Sequence, residues 1–316
     1  MKKKQNQIQK SNQNNEAKPS ALYRFANSNN TVGYVFILPF IIGFLGFTII
    51  PMITSLYYSF TDYNMIDKEN WVGLSNYTQL FVDERFQNSI QVTLKYVFIS
   101  VPLKLIFALL IAFLLTRKRK GTSFYRSLYY LPSLIGGCIA VSLVWKQLFA
   151  RKGLINLNLD KLGIDTINWF GSMEYAIVPL ILITVWQFGS SMLIFAAGIK
   201  EIPQSYYEAA KIDGANGRQS FFKITLPCLS PVVMFNLVMQ TISGFMAFTQ
   251  AFVITDGGPN DATMFYALYV YKQAINLRKM GYASAMSWVM LLIMATITLI
   301  IFKTSKRWVF YESDNE

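Results

Sequence analysis

Six long apolar blocks alternate with polar stretches along the chain. An α-helix needs about 20 residues to cross the hydrocarbon of a bilayer. Lipid offers no partner to backbone N–H and C=O groups, so helices satisfy them internally. We therefore predict an all-α integral membrane protein with six transmembrane helices. The predicted spans cover residues 35–57, 93–116, 128–149, 176–199, 232–254 and 283–302.

The two ends of the chain differ from the blocks between them. Residues 1–32 are rich in Lys, Gln, Asn and Ser, which predicts a mobile cytoplasmic tail. A cleaved signal peptide is the alternative, but the following apolar run is too long and lacks a small-x-small cleavage site. We expect one membrane domain over residues 33–307 and a short cytoplasmic tail over residues 308–316.

Composition and charge support this topology. The chain is 53% hydrophobic and carries a formal net charge of +12. With the N-terminus inside, 18 of the 29 Lys and Arg residues lie on the cytoplasmic side, eight lie outside and three fall within spans. This bias follows the positive-inside rule and places both termini in the cytoplasm. The positive charge thus needs no nucleic-acid partner, and we expect basic turns to contact membrane lipid.

The polar stretch after the fourth block predicts two short helices. Pro203 suits a first helical turn, where a missing N–H costs nothing. Residues 204–212 favour a helix, and Gly214 can supply the left-handed residue that ends it. A second helix is expected over residues 218–225, ending before Pro227.

The sequence of this stretch contains Glu208-Ala209-Ala210, then Gly214, and later Ile224 and Leu226-Pro227. This spacing resembles the cytoplasmic EAA loop of binding-protein-dependent ABC importer permeases. In that family the loop couples transport to a separate ATPase subunit. The resemblance is strongest in its sugar branch, the maltose and multiple-sugar type, because Thr255-x-Gly257-Gly258-Pro259 also matches. It implies the type I importer permease fold for residues 33–307 and a coupling loop at about residues 200–230. The implied coupling residues are Glu208, Ala209, Ala210, Asp213, Gly214, Ile224, Leu226 and Pro227, with Tyr206, Tyr207, Phe221 and Phe222 as candidate hydrophobic anchors.

The resemblance also implies partners. It predicts a multi-pass permease in the plasma membrane of a bacterium that imports a sugar, with an oligosaccharide as the leading cargo. A second homologous permease, a dimer of ATP-binding cassette subunits and an extracytoplasmic sugar-binding lipoprotein would complete the assembly. The chain has no Gly-x-x-x-x-Gly-Lys-Ser/Thr sequence. ATP and Mg²⁺ are therefore expected on the ATPase subunits, and no cofactor on this chain.

Catalytic and metal-binding residues are scarce. The chain has no histidine, and its two cysteines, Cys138 and Cys228, have no metal-ligand spacing. We therefore predict a transport subunit, not an enzyme, with no metal site. An ion-driven secondary carrier is the alternative from another class. The predicted spans contain no acidic residue to relay protons, which disfavours it.

Polar side chains within the fourth and fifth blocks suggest a translocation pathway. Amides and hydroxyls can hydrogen-bond sugar hydroxyls, and an aromatic ring can cover the apolar face of a sugar. Hydrogen bonding between helices is the alternative role for such residues. In maltose-type relatives the sugar-contacting positions fall near several of these residues and Ala247. The candidates are Gln187, Ser190, Ser191, Asn236, Gln240, Ser243, Gly244 and Phe248.

The nature of the cargo depends on charge within the spans. Glycerol-3-phosphate or a polyol is the alternative cargo within the same family. A phosphate would need arginine or several lysines facing the pathway. Lys104 lies near the middle of the second span, where it could touch substrate or face water. A single lysine favours an uncharged glycan.

Overall fold

The computed structural model describes residues 29–116 and 121–310, with side chains from residue 34 onward. Within these ranges the only β feature is an isolated antiparallel bridge between Thr61 and Trp71. This confirms the all-α prediction for the described part of the chain. The basic turn at 117–120, residues 1–28 of the predicted N-terminal tail and residues 311–316 lie outside the described residues.

The described residues fall into two compact units, the first ending at Tyr57 and the second beginning at Tyr58. The helix of the first unit comprises α1 (Asn29–Phe44), a π turn (Leu45–Ile49) and α2 (Ile50–Tyr58), which reaches the boundary. The second unit contains α3 (Ser75–Val82), α4 (Glu84–Thr116), α5 (Thr122–Ile135), α6 (Ile139–Leu148), α7 (Leu154–Lys161), α8 (Ile177–Trp186), α9 (Gly189–Glu201), α10 (Gln204–Ile212), α11 (Gly217–Ser220), α12 (Leu226–Cys228), α13 (Ser230–Phe245), α14 (Thr249–Ile254), α15 (Tyr266–Tyr271) and α16 (Met280–Ser305).

Four of these helical segments are long and apolar enough to cross a membrane. They are Tyr34–Tyr58, Glu84–Thr116, Ser230–Ile254 and Met280–Ser305. The number rises to six if α5 with α6 and α8 with α9 each count as one bent span. The structure therefore supports four to six spans among the described residues.

The third predicted span is wrong as a single straight helix. The axes of α5 and α6 differ in direction by 99°. The break contains Gly136 and Gly137, which favour helix poorly, and Cys138 has an extended backbone with ψ of 150°. The fourth predicted span also bends, by 41°, where Gln187 separates α8 from α9. Two of the six apolar blocks thus bend by more than 40°.

The core of the second unit forms around α4, the longest helix in the described residues. Its buried side packs against α8, α9 and α13. Ala108 and Ala112 are completely buried on α4, and small side chains allow helices to approach closely. On α13, a Cβ added to Gly244 would lie 3.1 Å from Val97 Cγ2 of α4. Helix α4 therefore links the helices that carry most of the candidate pathway residues.

Polar contacts hold the beginning of α4 against α15 and α16. The Oδ2 atom of Asp83 accepts hydrogen bonds from the hydroxyls of Tyr269 at 2.7 Å and Tyr282 at 2.6 Å. Burial raises the pKa of Asp83, but these two bonds and the backbone N–H groups of Arg85 and Phe86 outweigh it and leave the pKa below its ordinary value. The ionised carboxylate therefore joins three helices.

We expect Gly189→Ala to lower the melting temperature of the purified permease by about 5 °C, because overpacking costs about 1–3 kcal/mol. An added Cβ at Gly189 would collide with the carbonyl oxygen of Tyr129 and lie 2.6 Å from Ser133 Oγ, both on α5. Gly137→Ala is the matched control, since no atom lies within 4 Å of its added Cβ. Equal thermal shifts for both variants would contradict this packing.

Candidate functional site

The stretch that resembles an EAA loop folds as a helical hairpin, which we call the coupling hairpin (residues 203–228). Its first helix is α10, with the predicted bounds. Gly214 has a φ of +76°, and the N–H of Ala215 returns to the carbonyl of Ala210 at 2.8 Å, which confirms the predicted left-handed stop. Pro203 was predicted within the first turn. It instead precedes the helix, with a ψ of 132°.

The second arm of the coupling hairpin is helical for longer than predicted. Asn216 caps this arm, because its Oδ1 accepts a hydrogen bond from the backbone N–H of Gln219 at 2.9 Å. In the same capping box, Oε1 of Gln219 accepts a hydrogen bond from the backbone N–H of Asn216. The arm passes from α11 through a π turn (Phe221–Thr225) into α12. The predicted end before Pro227 is therefore wrong. Pro227 lies in the first turn of α12, where a proline is tolerated.

Two of the predicted hydrophobic anchors make contacts within the chain. The hydroxyls of Tyr207 and Thr225 lie 2.9 Å apart, which joins the two arms. The ring of Phe221 packs edge-on against Phe113 of α4, with ring centroids 5.0 Å apart. Partner binding by Tyr207 and Phe221, which are both only half-buried, stays a prediction. The hairpin is connected through Phe221 to the central helix of the fold.

The tip of the coupling hairpin presents both polar and apolar residues to solvent. Glu208, Ala209, Asp213 and Gly214 are exposed. Ala210 and Ile224 line a cleft of about 340 Å³ between the two arms. Leu226 and Pro227 are half-buried. Their roles in coupling stay predictions.

The most exposed large apolar side chain of the hairpin was missed as an anchor. Ile212 is 87% exposed, and Phe222 is 55% exposed on the other arm. The signal in the sequence was a single isoleucine at the end of a polar helix, just before Asp213 and Gly214. We therefore add Ile212 to the candidate anchors of the hairpin.

The candidate pathway residues of the fourth block lie at the bend between α8 and α9. Gln187 donates from Nε2 to the carbonyl of Gly136 at 3.0 Å. The backbone N–H of Ser190 donates to Ser133 Oγ at 2.9 Å. Ser191 is completely buried. Gln187 and the backbone of Ser190 thus connect the two broken segments, α5–α6 and α8–α9, whose bends meet.

The candidates of the fifth block have different environments. Asn236 and Gly244 are buried, whereas Ser243 is exposed and donates to the carbonyl of Met239 at 2.9 Å. Gln240 is partly exposed. Ser243 and Gln240 are therefore more accessible to a cargo than the other two. Their contact with substrate stays a prediction.

An aromatic cluster follows α13. Phe248 is half-buried and stacks on Phe252 with ring centroids 5.3 Å apart, and Tyr271 packs against both rings. This cluster supplies the aromatic surface expected near the polar stripe. Sequence reasoning included Phe248 but not Phe252 or Tyr271, because Tyr271 lies on another helix.

Lys104 is 9% exposed on α4. Two buried side-chain oxygens, Ser191 Oγ on α9 and Asn236 Oδ1 on α13, have no hydrogen-bond partner among the described residues. Among the described residues, no three His, Cys, Asp or Glu side chains come together as metal ligands.

The family of the chain follows from comparison with known proteins. A family model described as "Binding-protein-dependent transport system inner membrane component" matches residues 81–307. The chain belongs to this family. The match includes the coupling hairpin, both bent helix pairs and the whole of α16. It confirms the resemblance that the hairpin residues carry, and it identifies a transport subunit.

Two curated relatives and one solved structure extend this finding. The chain is 54% identical to "Probable ABC transporter permease protein YesP" of Bacillus subtilis, over 93% of this chain and 96% of the relative. It is 33% identical to "Probable starch degradation products transport system permease protein AmyD" of Thermoanaerobacterium thermosulfurigenes, over 87% and 94%. A chain in the crystal structure of a bacterial ABC transporter that imports alginate matches with a TM-score of 0.75 and 24% identity, over 87% and 95%. This likeness confirms the importer permease fold.

Proposed function

We propose that the chain is the permease subunit of an ATP-driven importer that takes up an oligosaccharide delivered by an extracytoplasmic binding protein. The family match carries the proposal, because that family is defined by binding-protein-dependent transport. Relatives named for starch degradation products and for arabinooligosaccharides support this cargo class. Family membership also disfavours the ion-driven carrier considered from the sequence.

The proposed assembly has six spans in this subunit, both termini in the cytoplasm and a bacterial plasma membrane around it. The two bent helix pairs would supply the third and fourth spans. The distribution of Lys and Arg supports the orientation. A second homologous permease would complete the pathway. An ATPase dimer would carry the ATP and Mg²⁺, because the sequence of this chain has no phosphate-binding loop.

The coupling hairpin provides a physical route from nucleotide hydrolysis to the pathway. An ATPase subunit that closes would displace the exposed tip near Glu208 and Gly214. The Tyr207–Thr225 hydrogen bond would move both arms together, and Phe221 would transmit the displacement to Phe113. Because α4 packs on α8, α9 and α13, its movement would reach the candidate pathway residues.

The accessible polar groups of α13 favour an uncharged cargo over a phosphate ester. Gln240 and Ser243 offer an amide and a hydroxyl, which suit sugar hydroxyls. The Phe248 cluster lies at the end of the same helix. Lys104 is buried within the packed helices, and it offers a single point charge without the bidentate hydrogen bonds that arginine makes to a phosphate.

We expect Phe221→Ala to lower the amount of sugar transported per ATP hydrolysed by about two- to tenfold, because one aromatic pair contributes about 0.5–1.5 kcal/mol. The ATPase should still bind, since the exposed tip is unchanged. Transport and hydrolysis measured together in proteoliposomes test this. Phe113→Ala should have the same effect, and the double variant should be no worse. If the loss in the double variant equals the product of the two single losses, the two rings act independently, which would contradict direct transmission between them.

The cargo class is tested by measuring ligand binding to the cognate binding protein across a glycan panel, followed by uptake of the best ligand. We expect tight binding of one oligosaccharide family and uptake that needs the binding protein. Preference for glycerol-3-phosphate, or uptake without any binding protein, would contradict the proposal.

A further inference from the structure

Ser230 joins the end of the coupling hairpin to the C-terminal part of the chain. Its hydroxyl donates to the carbonyl of Pro227 at 2.6 Å and accepts the backbone N–H of Phe310 at 2.8 Å. Ser230 is 5% exposed, so water competes little for these bonds. One hydroxyl therefore connects Pro227, the last residue of the EAA-like motif, to Phe310, which lies 80 positions beyond Ser230 in the chain.

The local sequence explains why a hydroxyl is needed here. In a continuous helix, the carbonyl of Pro227 would accept the N–H of the residue four positions later. That residue is Pro231, which has no N–H. The Ser230 hydroxyl supplies a donor to this carbonyl. Since its proton is used in this way, its oxygen remains available as the acceptor for Phe310.

The C-terminal segment is held in a defined position. After α16 ends at Ser305, the N–H groups of Trp308 and Val309 both return to the Ser305 carbonyl, at 3.0 and 2.8 Å. Val309 is buried, at 9% exposure. We call residues 308–310 the C-terminal brace.

The brace also reaches the entrance of the coupling hairpin. Phe310 lines a cleft of about 260 Å³ together with Pro203 and Tyr206, where the first arm begins. It bonds Ser230 directly after the second arm ends at Cys228. The brace therefore lies against both ends of the hairpin and is continuous with the last long helix, α16.

We propose that Ser230 and the C-terminal brace form a second transmission contact, which carries the movement of the coupling hairpin to α16. This proposal rests on the proposed function. The Phe221–Phe113 contact connects the hairpin to α4, and the brace connects it to a different long helix. Ser230 is a positioning residue in this scheme, because it acts through Phe310 and Pro227 and touches neither cargo nor nucleotide.

The test uses the complete reconstituted importer and measures sugar transported per ATP hydrolysed. Ser230→Ala removes the hydroxyl, and Phe310→Pro removes the N–H donor from the other side. Each should lower the ratio by about fivefold, the factor expected for one ordinary hydrogen bond. The double variant should match the single variants, since both remove the same bond. Ser230→Thr should restore the ratio, because it keeps the hydroxyl.

Ser305→Ala is the matched control, because its buried hydroxyl bonds only Phe302 of its own helix. Its transport ratio should equal that of the unmodified protein. Unchanged transport ratios in Ser230→Ala and Phe310→Pro would overturn the proposal. A loss in the double variant equal to the product of the two single losses would also overturn it. If the Ser230→Ala and Phe310→Pro variants are both lost from the membrane, the hydrogen bond serves folding, and the proposal is overturned. Failure of the unmodified assembly to import sugar would instead reject the proposed function.

Discussion

Replacing Gly214 by valine should reduce ATP-dependent sugar uptake by roughly five- to thirtyfold while leaving the amount of protein in the membrane unchanged. Gly214 has a φ of +76°, and a left-handed conformation costs a residue with a side chain roughly 1–2 kcal/mol. The added Cβ would have no atom within 4 Å, so collision is not the cause. The strain falls on the turn that orients the two arms. Radiolabelled uptake, normalised to membrane content, measures the effect.

Gly217 provides the control for this prediction. It lies three residues further along the same hairpin, its added Cβ also has no neighbour within 4 Å, and its φ lies outside the left-handed region. Gly217→Val should therefore retain most of the uptake. If both variants transport normally at equal membrane content, the geometry of this turn does not matter for coupling.

Replacing Ile212 by glutamate should weaken association of the ATPase with the permease by at least about thirtyfold. Ile212 is 87% exposed at the tip of the hairpin. If a partner buries this side chain, a carboxylate there would lose its hydration without gaining a counter-charge. A hot-spot residue of an interface contributes about 2 kcal/mol or more. Titration of the purified ATPase onto permease in nanodiscs gives the dissociation constant directly.

Ile164 is the matched control for the Ile212 substitution. It is 50% exposed in the stretch between α7 and α8, which the proposed topology places on the opposite side of the membrane. Ile164→Glu should leave ATPase binding unchanged. Equal binding by the Ile212→Glu variant and the unmodified permease would remove Ile212 from the contact surface.

The sequence predicted local structure well where short-range chemistry decides it. Helix α10 has the predicted bounds because Pro203 precedes it and Gly214 ends it with a left-handed backbone. The continuation of the second arm was missed, because Pro227 was taken as a stop. Proline is also tolerated in the first turn of a new helix, and the π turn before α12 creates that position.

The direction of helices and their packing against one another could not be predicted from the sequence in the same way. Hydropathy records the apolar character of residues 128–149 but not the direction of the chain, so the 99° bend at Gly136 and Gly137 was missed. The polar stripe on α13 was visible from spacing. That Gly244 lies against Val97 while Ser243 is exposed depends on α4, which is far away in the sequence.

Predicted roles of the aromatic residues in the hairpin show the same limit. Tyr207 and Phe221 were expected to bind a partner because aromatic side chains are frequent in interfaces. In the structure they contact Thr225 and Phe113 within the chain, and their binding to a partner stays a prediction. Ile212, which is far more exposed, was not selected. Residue type suggests which side chains can make contacts, but only the fold shows which ones are already occupied.

The central claim is that the coupling hairpin converts ATP hydrolysis by a separate subunit into import. The most direct measurement is uptake of the cognate oligosaccharide into proteoliposomes that contain both permeases and the binding protein, with and without the ATPase subunits. We predict accumulation against a gradient only when the ATPase and ATP are both present. Accumulation by the permeases alone would contradict this account.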